Sequence, residues 1–196
     1  MSKKINLLKT LIFSLLFAIM VLGIIYDYSN LVQERIANEV LRLHVLANSD
    51  TYEDQMLKLA VRDRVLEYLS NNIPPVATRA ESKELLLKNM DKIAQVAKDE
   101  ISKQGYEYTV TTSVGNFMFP TKSYEGFSLP AGYYDALQIK LGASQGQNWW
   151  CVLYPNICGN SNYDEELERV LCAEDYNMVT KPALKFRLVE FFAKFK

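Results

Sequence analysis

From Leu41 the apolar positions alternate: Leu41, Leu43, Val45 and Ala47 point one way, and Arg42, His44 and Asn48 point the other. A period of two means a strand with one buried face. Asn48, Ser49, Asp50 and Thr51 then stop the strand and offer the side-chain oxygens a helix start needs. With Asp50 as N-cap, Glu53 falls at the capping-box position. Leu57, Val61 and Val65, joined by Ala60 and Tyr68, follow at helical spacing and leave Lys58, Arg62, Asp63 and Glu67 for solvent. Pro74 and Pro75 end that helix, since paired prolines cannot continue it. A second helix is predicted from Ser82 to Gln104, with Leu86, Met90, Ile93, Val96 or Ala97, and Ile101 on one stripe.

The period then returns to two. Tyr106, Tyr108, Val110, Thr112 and Val114 alternate with polar residues, and Gly115-Asn116 reads as a hairpin turn into a returning strand at Phe117–Phe119. Residues 120 to 132 read as a loop. Tyr134–Leu141 and Trp149–Tyr154 are two further strands, joined by a polar, Gly-rich connection. Tyr163–Leu171 predicts a short acidic helix, and Pro182–Phe195 a closing amphipathic one. The order β-α-α-β-β-β-β-α-α predicts a single α+β domain, its mainly antiparallel sheet carrying helices on one face.

Ahead of this domain, residues 11 to 26 are apolar apart from Ser14 and Gly23. Lys3, Lys4 and Lys9 precede the run, and Asp27, the first acidic residue, follows it. That bias keeps the N-terminus in the cytoplasm and sends the rest out. Bulky Ile24, Ile25 and Tyr26 offer no small-residue cleavage site, which favours an uncleaved signal anchor over a cleaved signal. The expected division is residues 1–28 as signal peptide or anchor helix and 29–196 as an extracytoplasmic domain.

Composition narrows the chemistry. Without the three leading lysines, 19 basic residues face 23 acidic ones, so the domain has no electrostatic footprint for nucleic acid. A single histidine, His44, excludes a His-rich metal site, and the residue pattern implies no cofactor. A Cys–His pair of His44 with Cys151 would make an extracytoplasmic hydrolase, and a long aromatic groove a cell-wall-binding module. Export permits oxidation, and Cys151 and Cys158 are close enough to bridge across the turn at Pro155, leaving Cys172 over. Candidate partner-binding residues are Arg42, His44 and Asn48 on the polar strand face, and Trp149, Trp150 and Tyr154 as aromatic anchors.

Three stretches carry a family resemblance: L-R-L-H-V-L-A-N-S-D with Glu53-Asp54-Gln55 and Val61-Arg62-Asp63; F-P-T-K with L-P-A-G-Y-Y-D-A-L; and N-W-W-C-V-L-Y-P-N-I-C. In that order, from Leu41 to Cys158, they resemble the stage II sporulation protein R family. The resemblance implies a signalling protein of endospore-forming bacteria, made in the forespore and exported to the space between the two septal membranes. There it would activate a membrane-embedded aspartic protease, the stage II sporulation GA protein, which processes pro-sigma-E. It implies no catalytic residues.

Overall fold

The computed structural model describes residues 2–158 and 162–181. The first element is α1 (Ser2–Glu39), a 38-residue helix. Its leading part is exposed and apolar, and is long and apolar enough to cross a membrane. Its last turns are different, because Val32 and Ile36, with Val40 just beyond, are buried in the domain. The helix therefore runs straight through the division expected at residue 28.

Next come β1 (Leu41–Leu46), α2 (Tyr52–Asn72), α3 (Arg79–Lys88) and α4 (Met90–Lys103). The chain continues through β2 (Val110–Phe119), β3 (Lys122–Ser123), β4 (Ser128–Leu129), β5 (Gly132–Leu141) and β6 (Asn148–Tyr154). It ends with α5 (Tyr163–Val170) and α6 (Ala173–Thr180). The main sheet has the order β2-β5-β1-β6, with β1 parallel to β5 and antiparallel to β6, and β2 antiparallel to β5. The fold is α+β, with a mixed sheet in which antiparallel pairs predominate.

The alternation in β1 sorts its side chains as expected, but both faces are covered. On one, Leu41, Leu43 and Val45 pack with Leu57, Val61 and Val65 of α2 and Ile93, Ala97 and Ile101 of α4. On the other, Val32, Ile36 and Val40 meet Phe119, Leu129, Tyr134 and Val152, together with Leu167 of α5 and Val179 of α6. The single-faced arrangement is thus corrected. The second layer is assembled from α1 and the C-terminal helices, whose apolar residues are individually sparse.

Four local expectations also change. Gly115 and Asn116 make no turn; they sit mid-strand opposite Ala136 and Asp135, so β2 is one continuous strand. A Cβ on Gly115 would lie 3.3 Å from the Phe117 ring, so the glycine serves packing. The N-cap of α2 is Thr51, whose hydroxyl accepts from the Asp54 amide, while Asp50 Oδ1 accepts from the Gln147 amide at 2.6 Å. The long second helix divides at Asn89, whose side chain donates to the Leu85 carbonyl and competes with the helical ladder. The small β3–β4 hairpin arises within residues 120–132, where only a loop was expected. The closing helix predicted at 182–195 lies outside the described residues.

Candidate functional site: a groove over the open edge of β6

The N-S-D block that ends β1 is spent on folding. Asn48 Nδ2 and Ser49 Oγ donate to the buried Asp54 carboxylate at 2.8 and 2.5 Å, while Asn48 Oδ1 accepts from the Ala143 amide at 2.8 Å. Burial opposes ionisation of Asp54, yet hydrogen bonds from Ser49, Asn48, Tyr108 and Thr51 hold its carboxyl below the usual range. Gly146 comes so close that a Cβ there would lie 2.1 Å from the Ser49 carbonyl oxygen. The block therefore ties the β5–β6 connection to the start of α2. Both ends of the Asn48 carboxamide are thus engaged within the fold.

Arg42 and His44 are also interior. Arg42 is fully buried, its guanidinium 4.0 Å from the Phe119 ring centroid and 4.8 Å from that of Tyr134, and Nη2 donates to Tyr124 Oη at 2.7 Å. Nε and Nη1 have no hydrogen-bond partner among the described residues. A desolvated cation over two rings is held chiefly by the ring quadrupoles. His44 stacks on Trp150 with centroids 3.8 Å apart and lies 3.0 Å, through Nδ1, from Gln138 Nε2. Both residues were expected on a partner-facing surface. They are buried because α1 and the β3–β4 hairpin cover this face.

Burial pushes the His44 pKa down to about 4; the Asn148 carboxamide opposes this, and the charges of Lys140 and Arg42 reinforce it. The imidazole is therefore neutral near pH 7. An unfolded chain binds that proton at about 6.5. Stability is then complete above about pH 6.5 and falls as pH drops toward 4, by on the order of 3 kcal/mol from this group. In thermal melts, His44→Gln is expected to flatten the decline of the parent between pH 6.5 and 4.5. Parallel declines in both proteins would remove His44 as its origin.

The cysteine expected to pair with the imidazole does not reach it. Cys151 pairs with Leu43, not His44, across β1 and β6, so it lies on the opposite sheet face, and it is joined to Cys158. That geometry removes the Cys–His pair. Cys172 is free and exposed at the start of α6. Tyr154 is buried toward the α2 side and donates to the Ala77 carbonyl oxygen. Among the described residues, no three His, Cys, Asp or Glu side chains are grouped to hold a metal ion.

The two tryptophans remain accessible, and they lie together. A groove of about 470 Å³ is lined by Trp149, Trp150, Gln147 and Asn148 from the edge strand β6. One wall is Gln55, Lys58 and Leu59 of α2, and the other is Lys122, Ser123 and Tyr124 of the small hairpin. Adjacent in a strand, Trp149 and Trp150 face opposite sides, and both reach the groove because it wraps the sheet edge. Arg62 lies 4.2 Å over the Trp149 ring and pairs with Asp63. Lys58 was expected to be solvated, but its aliphatic stem is buried against the sheet edge. Its ammonium donates to Gln55 Oε1 at 2.6 Å and to the Gln147 carbonyl oxygen at 2.9 Å. Lys122 and Tyr124 escaped the sequence reading, because nothing in a turn-rich stretch announced a hairpin folded over the sheet.

Comparisons with known proteins converge on one family. The stage II sporulation protein R of Bacillus subtilis (strain 168) is 35% identical over 123 residues, which cover 63% of this chain and 55% of that relative. The aligned stretch thus spans about half the relative's length. No solved structure matches the chain. The model of the stage II sporulation protein R family matches residues 37–163, the span that holds β1 through β6, the N-S-D staple and the groove. This chain belongs to the stage II sporulation protein R family, a family of sporulation proteins.

Proposed function

We propose that this chain is an exported sporulation signal that works by binding. It is made in the forespore, crosses or anchors in the forespore membrane through α1, and presents its domain in the space between the septal membranes. There it activates the membrane-embedded aspartic protease of the mother cell, the stage II sporulation GA protein, which trims pro-sigma-E. The observation that carries this reading is an accessible aromatic groove in a family member whose sole histidine is neutral and buried, on the sheet face opposite Cys151. The surface is built for contact.

The test is processing of pro-sigma-E, followed by immunoblot in sporulating cells that lack their own signal and receive this chain at graded levels. The parent chain should restore processing. His44→Gln disturbs the support beneath Trp150 but removes at most one contact's worth of binding, typically under about 2 kcal/mol. Excess protein should therefore restore signalling. A catalytic histidine would instead cost roughly 10² to 10⁴ in rate at any concentration. Loss that no amount of folded variant repairs would overturn the binding reading.

A further inference from the structure

The groove beside β6 is positively charged in a domain with an excess of acid. Lys58 is 4% exposed, and its two acceptors are neutral oxygens. An ammonium has three donors, so one remains. Neither Lys58 nor Lys122 has a carboxylate within ion-pair distance among the described residues. Asp50, the acid that acts on Lys58 through space, has Oδ1 occupied by the Gln147 amide. Arg42, also without a carboxylate, lies behind Tyr124 of the same wall. A buried cation without a counter-ion is costly, and an arriving carboxylate relieves that cost.

The floor of the groove adds directional chemistry. Within the described sheet, β6 pairs only with β1, so its other edge is unladdered. The chain folds back at the far end, where the Cys158 amide donates to the Val152 carbonyl oxygen at 3.2 Å. Val152 therefore points its backbone groups outward. Residues two apart in a strand share that direction, so Trp150 and Asn148 present theirs outward as well, on the stretch that lines the groove. The disulfide from Cys151 to Cys158 and the return of the chain close one half of the edge and leave the other open.

We propose that the groove receives an extended, acid-bearing segment of a partner protein, which adds to the edge of β6 at Asn148–Trp150 and sets carboxylates against Lys58 and Lys122. Main-chain hydrogen bonds along an edge strand supply affinity in such a mode, and flanking side chains supply selectivity. Trp149 and Trp150 supply the apolar contact. The inference rests on the signalling reading and deepens it, naming where the partner is held and by what chemistry.

Because Trp149 and Trp150 are the only tryptophans in the chain, their emission reports on the groove without a label. The full chain, in phosphatidylcholine nanodiscs, is titrated with ten-residue peptides of alternating Val–Glu, Val–Gln or Val–Lys, and separately with phosphatidylglycerol vesicles. The Val–Glu peptide should give a saturable change, at least tenfold tighter than Val–Gln and weakened by salt, with no response to Val–Lys. The double substitution Lys58→Met with Lys122→Ala should erase that tenfold preference while the melting transition stays cooperative. Lys122→Ala alone, half-buried at the groove rim, should reduce it part-way. Equal binding of Val–Gln and Val–Glu, or an unchanged preference in the folded double variant, would overturn the proposal. A response to the vesicles alone would assign the groove to lipid and overturn it too. Normal pro-sigma-E processing by the double variant would separate the groove from the signalling partner and defeat this inference while the signalling reading survives. Failure of the parent chain to support processing would defeat that reading whatever the peptides do.

Discussion

Val61→Asp is expected to abolish the cooperative thermal transition of the domain at ordinary temperatures. Val61 has no exposed surface and packs between β1 and the α4 face that carries Ile93 and Ala97. Replacing it removes an apolar contribution of about 1.5–3 kcal/mol. It also strands a carboxylate, or forces its protonation, at a further cost of several kcal/mol. Domains of this size are commonly stable by about 5–15 kcal/mol, so the sum takes most or all of that margin. Val61→Ala supplies the comparison, since it loses only methyl groups and should retain a cooperative, lowered melt. Far-UV circular dichroism melts of the two variants decide the matter. A parental melting temperature for Val61→Asp would mean that α2 buries another face.

That α2 face was legible because Leu57, Val61 and Val65 recur every four residues, although Met56, Leu59 and Leu66 interleave with them. The β1 strand and the change of period at β2 were legible for the same reason. What escaped was decided by distant partners. Gly115-Asn116 carries turn chemistry, but the ten-residue register with β5 overrides it. Asn89 looks unremarkable on a helical stripe, yet its own carboxamide divides the helix. The second sheet face stayed hidden because its cover comes from both ends of the chain.

The site was legible by residue type more than by role. Tryptophans at the start of an edge strand were visible as anchors, and both line the groove. Arg42 and His44 were singled out for their polarity, but polarity along a strand does not reveal whether the other face is covered. Here it is, by aromatic rings that accept a guanidinium and stack on an imidazole. Asn48 shows the same ambiguity, because a motif rich in hydrogen-bonding groups serves equally well as a binding site or an internal staple. Lys58 inverted the expectation. Helical periodicity assigned it to solvent, whereas its position nearly two turns into α2, against the edge of β6, sinks its stem and keeps its ammonium at the groove.

The second large effect concerns α1. Deleting residues 2–27 should leave a domain that melts cooperatively, whereas deleting residues 2–39 should not. The first deletion removes the apolar run, in which no described residue is fully buried, and keeps Val32 and Ile36, which are buried. The second also removes Val32, which is 3% exposed, and Ile36, which is fully buried, at about 1.5–3 kcal/mol each. It further removes Arg35, which grips Asp175 of α6 through Nε at 3.0 Å and Nη2 at 2.5 Å. That bond is the chief reason the Asp175 carboxyl is held below the usual range, and without it a carboxylate of 3% exposure loses its counter-ion. With Phe119, Leu129 and Val179 also uncovered, the loss is on the order of 5 kcal/mol or more, comparable with the whole margin. Circular dichroism melts and limited proteolysis of the two purified deletions read the difference. Equal melts would show that α1 merely leans on the domain. Unfolding of both would show that the apolar run itself is needed. The expected split places the start of the folded unit inside α1, between Asp27 and Val32, so any processing of the N-terminus compatible with a stable signal must cut ahead of Val32.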